Sequence, residues 1–333
     1  MKILIVTNMY PFENMDYFGN FLKKEVEYIQ SQNIEVEVLF LNGRDNKINY
    51  LTGLMKFLNI YREFDIIHYH HSYIAWYSFF VKNKKQIFTI HEGGNIKIIN
   101  NLLIPHYGHG RKGYIEKLFK MFNLRKHILN QMNRIIITKY SDKPLTYNDK
   151  KVIQNPMGID FNKFIIINKE KARLELGMDI NDIILFFPHE PRKEKNVELF
   201  YDIVESLKLR TSKNIKAIYG GKISTNDMYK YINAADICYL TSNFEASPTI
   251  VKESLACGTP ILCSNVGDLE ELFDPVFTTF ICNNCEEFVE KSMEILDKPI
   301  NRDNIREFLQ SKGMDYKTTS ENVLKIYKEE MGK

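Results

Sequence analysis

The stretch DICYLTSNFEASPTIVKESLACGTPILCS, residues 236–264, reads in succession as strand, loop, helix and strand. Residues 236–241 and 260–264 are short apolar, β-rich runs, and 248–257 carries a helical pattern. Ser247-Pro248 reads as an N-cap followed by the first helical residue, because proline lacks an N–H that a first turn leaves unpaired anyway. Gly258 reads as the residue just past the helix, with Pro260 beyond it. Two glutamates punctuate the stretch, Glu245 in the loop and Glu253 about one and a half turns into the helix. Glu253 stands among Ile250, Val251, Leu255, Ala256 and Cys257. An ionised carboxylate is costly to bury alone, so it requires a partner. The first-turn N–H groups of Thr249 and Ile250, together with the helix dipole, form an anion site. Sugar hydroxyls suit the glutamates beside it, since a carboxylate is a strong bidentate acceptor.

The same alternation runs outward in both directions. Candidate strands fall at 3–7, 36–41, 65–70, 87–91, 134–138 and 151–154, then at 183–188, 215–219, 236–241, 260–264 and 278–282. Helical patterns at 17–32, 113–132, 194–212, 226–235 and 248–257 fill most of the gaps. Such alternation predicts an α/β protein with parallel sheets covered by helices on both faces. The pattern restarts after NPMGIDFNKF (155–164), whose Pro156 and Gly158 read as a linker. The expected organisation is two doubly wound domains, 1–160 and 161–315. The terminal segment 316–333 is expected to form a helix capped by Ser320 that packs back on the first domain.

Open parallel sheets bind ligands outside the carboxyl ends of their strands, so residues of unusual chemistry should follow strands. Strand 183–188 is followed by HEPRKEKN, which places Arg192 and Lys195 at a helix start, where the dipole disfavours cations. A bound diphosphate would account for them, and so would a solvated charged face shared with Lys193, Glu190 and Glu194. His91 ends strand 87–91 and reads either as a ligand contact or as a structural histidine. Gly19, ahead of a helix at 20–32, permits close approach of backbone to a ligand or simply makes a turn.

Residues 231–272, YINAADICYLTSNFEASPTIVKESLACGTPILCSNVGDLEEL, resemble the donor-site segment of GT-B glycosyltransferases of family 4. That pattern is a glutamate, seven residues and a second glutamate, with NAAD ahead and ACGTP and VGD behind. FDIIHYH (64–70), FTIH (88–91), NPMGIDFNKF (155–164) and RKEKN (192–196) stand in the corresponding order. The resemblance implies two Rossmann-like domains facing across a cleft that holds the site. It implies that Glu245 contacts donor-sugar hydroxyls, Glu253 the ribose hydroxyls, and Arg192 and Lys195 the diphosphate. Ser247 and the Thr249 and Ile250 N–H groups would bind phosphate or sugar oxygens, with His91 and Gly19 completing the site. Two features depart from the pattern. Phe187-Pro188-His189 replaces a glycine-containing strand end, leaving Lys193 open for the role of Lys195, and Pro248 offers no N–H.

The implied reaction is transfer, with retention, of a hexose-type sugar from a nucleoside diphosphate sugar, UDP favoured over GDP, to an acceptor hydroxyl. The acceptor would be a saccharide or lipid-linked molecule in cell-surface polysaccharide or glycolipid synthesis, and the nucleotide sugar is a substrate, with no cofactor implied. A GT-B sugar-nucleotide epimerase and a non-catalytic nucleotide-sugar binding subunit are the alternatives.

Composition is that of a globular protein, with 44% hydrophobic and 26% charged residues in 333. Residues 1–155 hold 22 Lys+Arg against 13 Asp+Glu and the remainder 23 against 29, so the net +3 conceals +9 and −6. Much of the excess lies in 111–139, where Lys117, Lys120, Arg125 and Lys126 share an amphipathic pattern that suits an anionic membrane surface or ordinary packing on a sheet. No stacking motif accompanies the charge, so nucleic acid is not an expected partner. MKILIVTNMYP has its apolar run cut by Asn8 and Pro11, and five cysteines are an odd number. The expectation is a first strand and a cytoplasmic protein, peripheral on the inner membrane face. Cys282-Asn-Asn-Cys285 is a lone CxxC. Gly108-His-Gly110-Arg-Lys-Gly113 follows no clear strand, and Gly220-Gly221-Lys222 lacks P-loop spacing. His68 and His70 share a strand face with no carboxylate or cysteine evident beside them, so they read as core or loop residues rather than a metal site. No Asp-x-Asp pair occurs, so no metal ion holding diphosphate is implied.

Overall fold

Lys2–Thr7 (β1) buries Ile3, Leu4, Ile5 and Val6 completely, the mark of a strand covered on both faces. Alternation sends Leu4 and Val6 to one core with Phe57, Tyr69 and Tyr77. Ile3 and Ile5 enter a second core with Leu22 and Val26 of the helix Asn20–Ser31 and Val323, Ile326 and Tyr327 of the helix Tyr316–Met331. The computed structural model describes residues 1–13, 15, 18–43, 45–91, 96–99, 102–105, 124–140, 151–245, 247–273, 277 and 280–332.

The chain divides into two compact units, Met1–Met157 with Lys317–Lys333, and Gly158–Tyr316. In the first, β1 joins β2 (Glu35–Phe40), β3 (Ile66–Tyr69), β4 (Lys85–Ile90), β7 (Arg134–Ile137) and β8 (Val152–Gln154). Their order is β2-β1-β3-β4-β7-β8, with every pairing parallel. In the second, β9 (Ile183–Phe187), β10 (Ile215–Tyr219), β11 (Ile237–Leu240), β12 (Ile261–Ser264) and β13 (Ile281–Cys282) form a parallel sheet in the order β10-β9-β11-β12-β13. Both orders reverse direction once, between β1 and β3 and between β9 and β11. These two parallel sheets with alternating helices are the two-Rossmann architecture expected from the sequence.

Several local expectations are corrected. Ser247 does not cap the helix: the helix is Thr249–Ala256, Pro248 is its N-cap, and the Ser247 Oγ instead accepts from Lys252 Nζ at 3.0 Å. Ser320 lies inside the terminal helix, which starts at Tyr316 because the Tyr316 N–H bonds Ile159 O at 3.0 Å and sets its entry. Ile96–Ile99 (β5) and Leu102–Pro105 (β6) form an antiparallel pair, so a strand does precede the glycine-rich 108–113 stretch, which lies outside the described residues. Helices Asn49–Ile60, Cys285–Asp297 and Arg302–Ser311 were not separately expected.

The NAAD residues hold the second unit together. Asn233 is fully buried; its Nδ2 donates to Ile165 O and Tyr229 O, and its Oδ1 accepts from the Ile167 N–H and Arg302. Asp236 accepts from Lys169 Nζ (2.8 Å), Arg173 Nη2 (2.6 Å) and the Ile184 N–H (2.7 Å). These side chains fasten β9 and β11 side by side and so fix the place where the strand order reverses.

Candidate functional site

A ligand site in an open parallel sheet belongs at the carboxyl ends of the strands flanking the reversal. In the second unit those strands are β9 and β11. After β9 the chain passes Pro188 and His189 and makes a 3-10 turn, Lys193–Lys195, that ends at Asn196 in the left-handed region (φ 50°). Asparagine tolerates that conformation better than most residues. After β11, the Thr241 hydroxyl donates to Lys195 O (2.9 Å) and Asn196 O (3.0 Å), and the Asn243 N–H donates to Glu194 O (3.2 Å). The two loops are stitched by the Thr241 side chain and one backbone hydrogen bond.

That stitching places Lys195 Nζ 2.5 Å from Glu245 Oε1, with each side chain 17% exposed. Ser242 Oγ donates to the same carboxylate oxygen at 2.8 Å. Lys195 is therefore the lysine of the loop that meets Glu245, whereas Lys193 is exposed. Arg192, 56% exposed, stands 3.8 Å from Glu190 and is not held against the core. His189 is half-buried, its Nε2 is shut off from solvent with no partner among the described residues, and its pKa is pushed down to about 3. Burial is the larger cause, followed by the positive charges of Lys195 and Arg192.

The helix Thr249–Ala256 follows this loop. Its ladder begins where the Val251 N–H bonds Pro248 O, so Thr249 and Ile250 hold the leading donors. Glu253 is half-buried on this helix, and its charge helps raise the pKa of the Cys257 thiol, a shift caused mainly by burial. Lys252 is 1% exposed. Burial lowers its pKa, and the negative charge of Asp268 partly restores it. Opposite the site, Arg302 donates to Cys257 O (2.7 Å) and Arg306 donates to Ala256 O, Phe161 O and Phe164 O. Cations on the last carbonyls stabilise a helix end. Gly258 (φ +65°) allows the close approach, since a Cβ there would lie 2.5 Å from Arg302 O.

In the first unit, Gly19 (φ +71°) precedes the helix Asn20–Ser31, and a Cβ on it would lie 2.4 Å from the Met9 carbonyl carbon. This glycine is required by the chain's own backbone. His91 follows β4; its Nε2 lies 3.0 Å from His70 Nδ1, and burial lowers its pKa to about 3. Of the basic patch, Lys117 and Lys120 lie outside the described residues, and Arg125 and Lys126 lie in the helix Leu124–Gln131. That helix buries Ile128 and Leu129 in the core and exposes Lys126. No helix among the described residues is long and apolar enough to cross a membrane.

His189, Thr241, Ser242 and Lys252 were not singled out as site residues from sequence. For His189 the signal was available, a histidine two residues past a strand end. His189→Gln should flatten the acid limb of the stability curve. A histidine whose folded pKa is lowered costs stability only when the unfolded chain binds the proton it refuses. Its penalty is absent at pH 7 and grows as pH falls from about 6.5 towards 3. Urea unfolding at pH 7 and pH 5 should give a difference smaller in the variant, by at most about 1.4 kcal/mol per pH unit. An identical pH dependence would remove His189 as a buried neutral group.

A family model described as glycosyl transferases group 1 matches residues 211–311. Residues 211–311 thus resemble that family. The Bacillus subtilis (strain 168) protein named as the teichuronic acid biosynthesis glycosyltransferase TuaC is 25% identical over 206 residues, 56% of this chain and 48% of that protein. The chain thus spans about half the length of the curated relative it matches. A sucrose-phosphate synthase from Thermosynechococcus elongatus superposes with a TM-score of 0.76 at 13% identity, over 100% of both chains. Anabaena HepE in complex with UDP superposes with a TM-score of 0.67 at 14% identity, over 99% of this chain and 100% of that one. Likeness at this level of identity establishes the fold, which is GT-B. The matched segment contains Glu245, Glu253, Arg302 and Arg306, while Arg192 and Lys195 lie ahead of it.

Proposed function

We propose that the protein transfers a sugar from a nucleoside diphosphate sugar to an acceptor hydroxyl. The observation that carries this reading is the Lys195–Glu245 pair, held beside Ser242 where the strand order of the second unit reverses. A diphosphate is the ligand that fits Lys195, Arg192 and the Thr249 and Ile250 N–H groups together. With Lys195 engaged by phosphate, Glu245 is released to accept from donor-sugar hydroxyls, and Glu253 on the following helix takes the ribose diol. In the reaction the bond from the anomeric carbon to the diphosphate oxygen breaks and its electron pair leaves with the phosphate. The acceptor oxygen bonds the anomeric carbon and passes its proton to the departing diphosphate. Lys195 and Arg192 offset the charge that develops on the leaving group, a preorganised electrostatic contribution.

The reading is of a retaining, metal-independent transfer with UDP as the nucleotide and a saccharide or lipid-linked acceptor. The UDP bound by HepE supports the nucleotide, and the name of TuaC supports a role in cell-surface polymer synthesis. A thermal-shift panel of UDP-, GDP- and ADP-sugars tests the donor site. A ligand at 100 times its dissociation constant should add about 2.7 kcal/mol of stability. UDP-sugars should shift the transition most, and the shift should vanish in a Glu253→Ala variant. A panel in which no nucleotide sugar stabilises the protein overturns the reading.

A further inference from the structure

His68 and His70 lie side by side at the carboxyl end of β3, 0% and 1% exposed, and the donor reading gives them no role. The structure brings Glu25, from the helix Asn20–Ser31, against them: one carboxylate oxygen and one nitrogen from each ring lie within 4.8 Å of one another. Glu25 Oε1 is shut off from solvent and has no hydrogen-bond partner among the described residues. Sequence distance hid this carboxylate, which stands 43 positions before His68.

Hydrogen bonding accounts for only part of the cluster. His68 Nε2 meets Thr89 Oγ1 at 2.7 Å, and His70 Nδ1 meets His91 Nε2 at 3.0 Å. The remaining nitrogens, His68 Nδ1 and His70 Nε2, face each other at 3.3 Å. Tyr327 Oη also approaches His68 Nδ1, at 2.6 Å. An imidazole nitrogen has a single lone pair, so it cannot accept from both. The shorter contact is with tyrosine, which leaves His70 Nε2 and Glu25 Oε1 as two poorly matched polar atoms in one enclosed space. Buried polar atoms in that condition call for an unaccounted ion or group.

We propose that Glu25, His68 and His70 form a binding site for a divalent transition-metal ion of the zinc class. Two nitrogens bound tetrahedrally at about 2.0–2.1 Å from zinc are about 3.3–3.4 Å apart, and His68 Nδ1 and His70 Nε2 already stand at 3.3 Å. Glu25 supplies an anionic oxygen with a modest side-chain shift, and the Tyr327 hydroxyl yields the His68 lone pair to the ion. The surroundings match what ligating histidines use. Each ring's second nitrogen has a holder, Thr89 for His68 and His91 for His70, which fixes tautomer and orientation. Because His70 then donates through Nδ1, the ion also fixes His91 as the acceptor at Nε2. The site is contained in the first unit and does not depend on what the donor loops bind.

The test is metal uptake by the full chain. Protein incubated with Zn²⁺ or Co²⁺ and desalted should retain one ion per chain by elemental analysis. The Co²⁺ form should show visible ligand-field absorption of low-coordinate cobalt with nitrogen and oxygen ligands. Glu25→Gln, which keeps the shape of the side chain, and His70→Gln should abolish retention, and Thr89→Val should weaken it about 10- to 100-fold. A Cys282→Ser/Cys285→Ser variant should retain the ion. Circular dichroism and the Tm establish that each variant is folded; if His70→Gln is not, Glu25→Gln carries the test. No retained ion in the wild-type protein, retention unchanged in Glu25→Gln, or loss in the cysteine variant overturns the proposal.

Discussion

Glu245→Gln should lower turnover by about 10²- to 10³-fold, the effect of removing one preorganised polar group aimed at reacting atoms, while nucleotide affinity changes by about twofold at most. Glutamine keeps the length of the side chain and can still accept from Ser242. What it loses is the charge that pairs with Lys195 at 2.5 Å and the bidentate acceptance of sugar hydroxyls. The nucleotide itself is held by Lys195, Arg192, the first helical turn and Glu253 in the proposed site, so its binding should be almost untouched. The measurements are initial rates of nucleoside diphosphate release with acceptor present and calorimetric titration of the nucleotide. Turnover equal to wild type would take Glu245 out of the reacting centre. An equal fall in nucleotide affinity would make its role the positioning of Lys195.

Asp236→Ala should cost about 3–5 kcal/mol of stability, the range for removing one partner of a buried ion pair. Asp236 accepts from Lys169, Arg173 and the Ile184 N–H, and Arg173 is only 4% exposed overall. Without the carboxylate, a guanidinium remains inside the unit with its other bonds to Ala234 O, Ile180 O and Asp182 O but no counter-charge. Asp236→Asn should fall between wild type and alanine, since it can still accept from Ile184 N–H. Urea unfolding followed by circular dichroism is the suitable readout, because the single tryptophan, Trp76, belongs to the other unit. A loss under about 1 kcal/mol would mean the pair is dispensable, as exposed ion pairs commonly are.

These expectations separate motif residues by what they do. From sequence, NAAD and the Glu-x7-Glu spacing appear as parts of one signature. In the structure, Asn233 and Asp236 have their polar atoms bound by backbone and basic side chains of their own unit. Glu245, by contrast, meets Lys195 of the loop after β9 and Ser242 of the loop after β11. The first pair builds the strand reversal, and Glu245 lies beside it.

Sequence alone determined the two parallel sheets. Runs such as Ile3–Val6 and Ile183–Phe187 are apolar at every position, which only strands covered on both faces require. It also marked the loops after β9 and β11, which meet through Lys195 and Glu245, because connection length and turn residues are local properties. It did not reveal that Lys195 rather than Lys193 meets Glu245, that Ser247 receives Lys252 instead of capping a helix, or that Glu25 lies beside His68 and His70. The Lys195–Glu245 pairing and the Glu25 cluster are decided by strand order and by which helix covers which face. A parallel sheet makes neighbours of segments far apart along the chain, and no local periodicity encodes that distance.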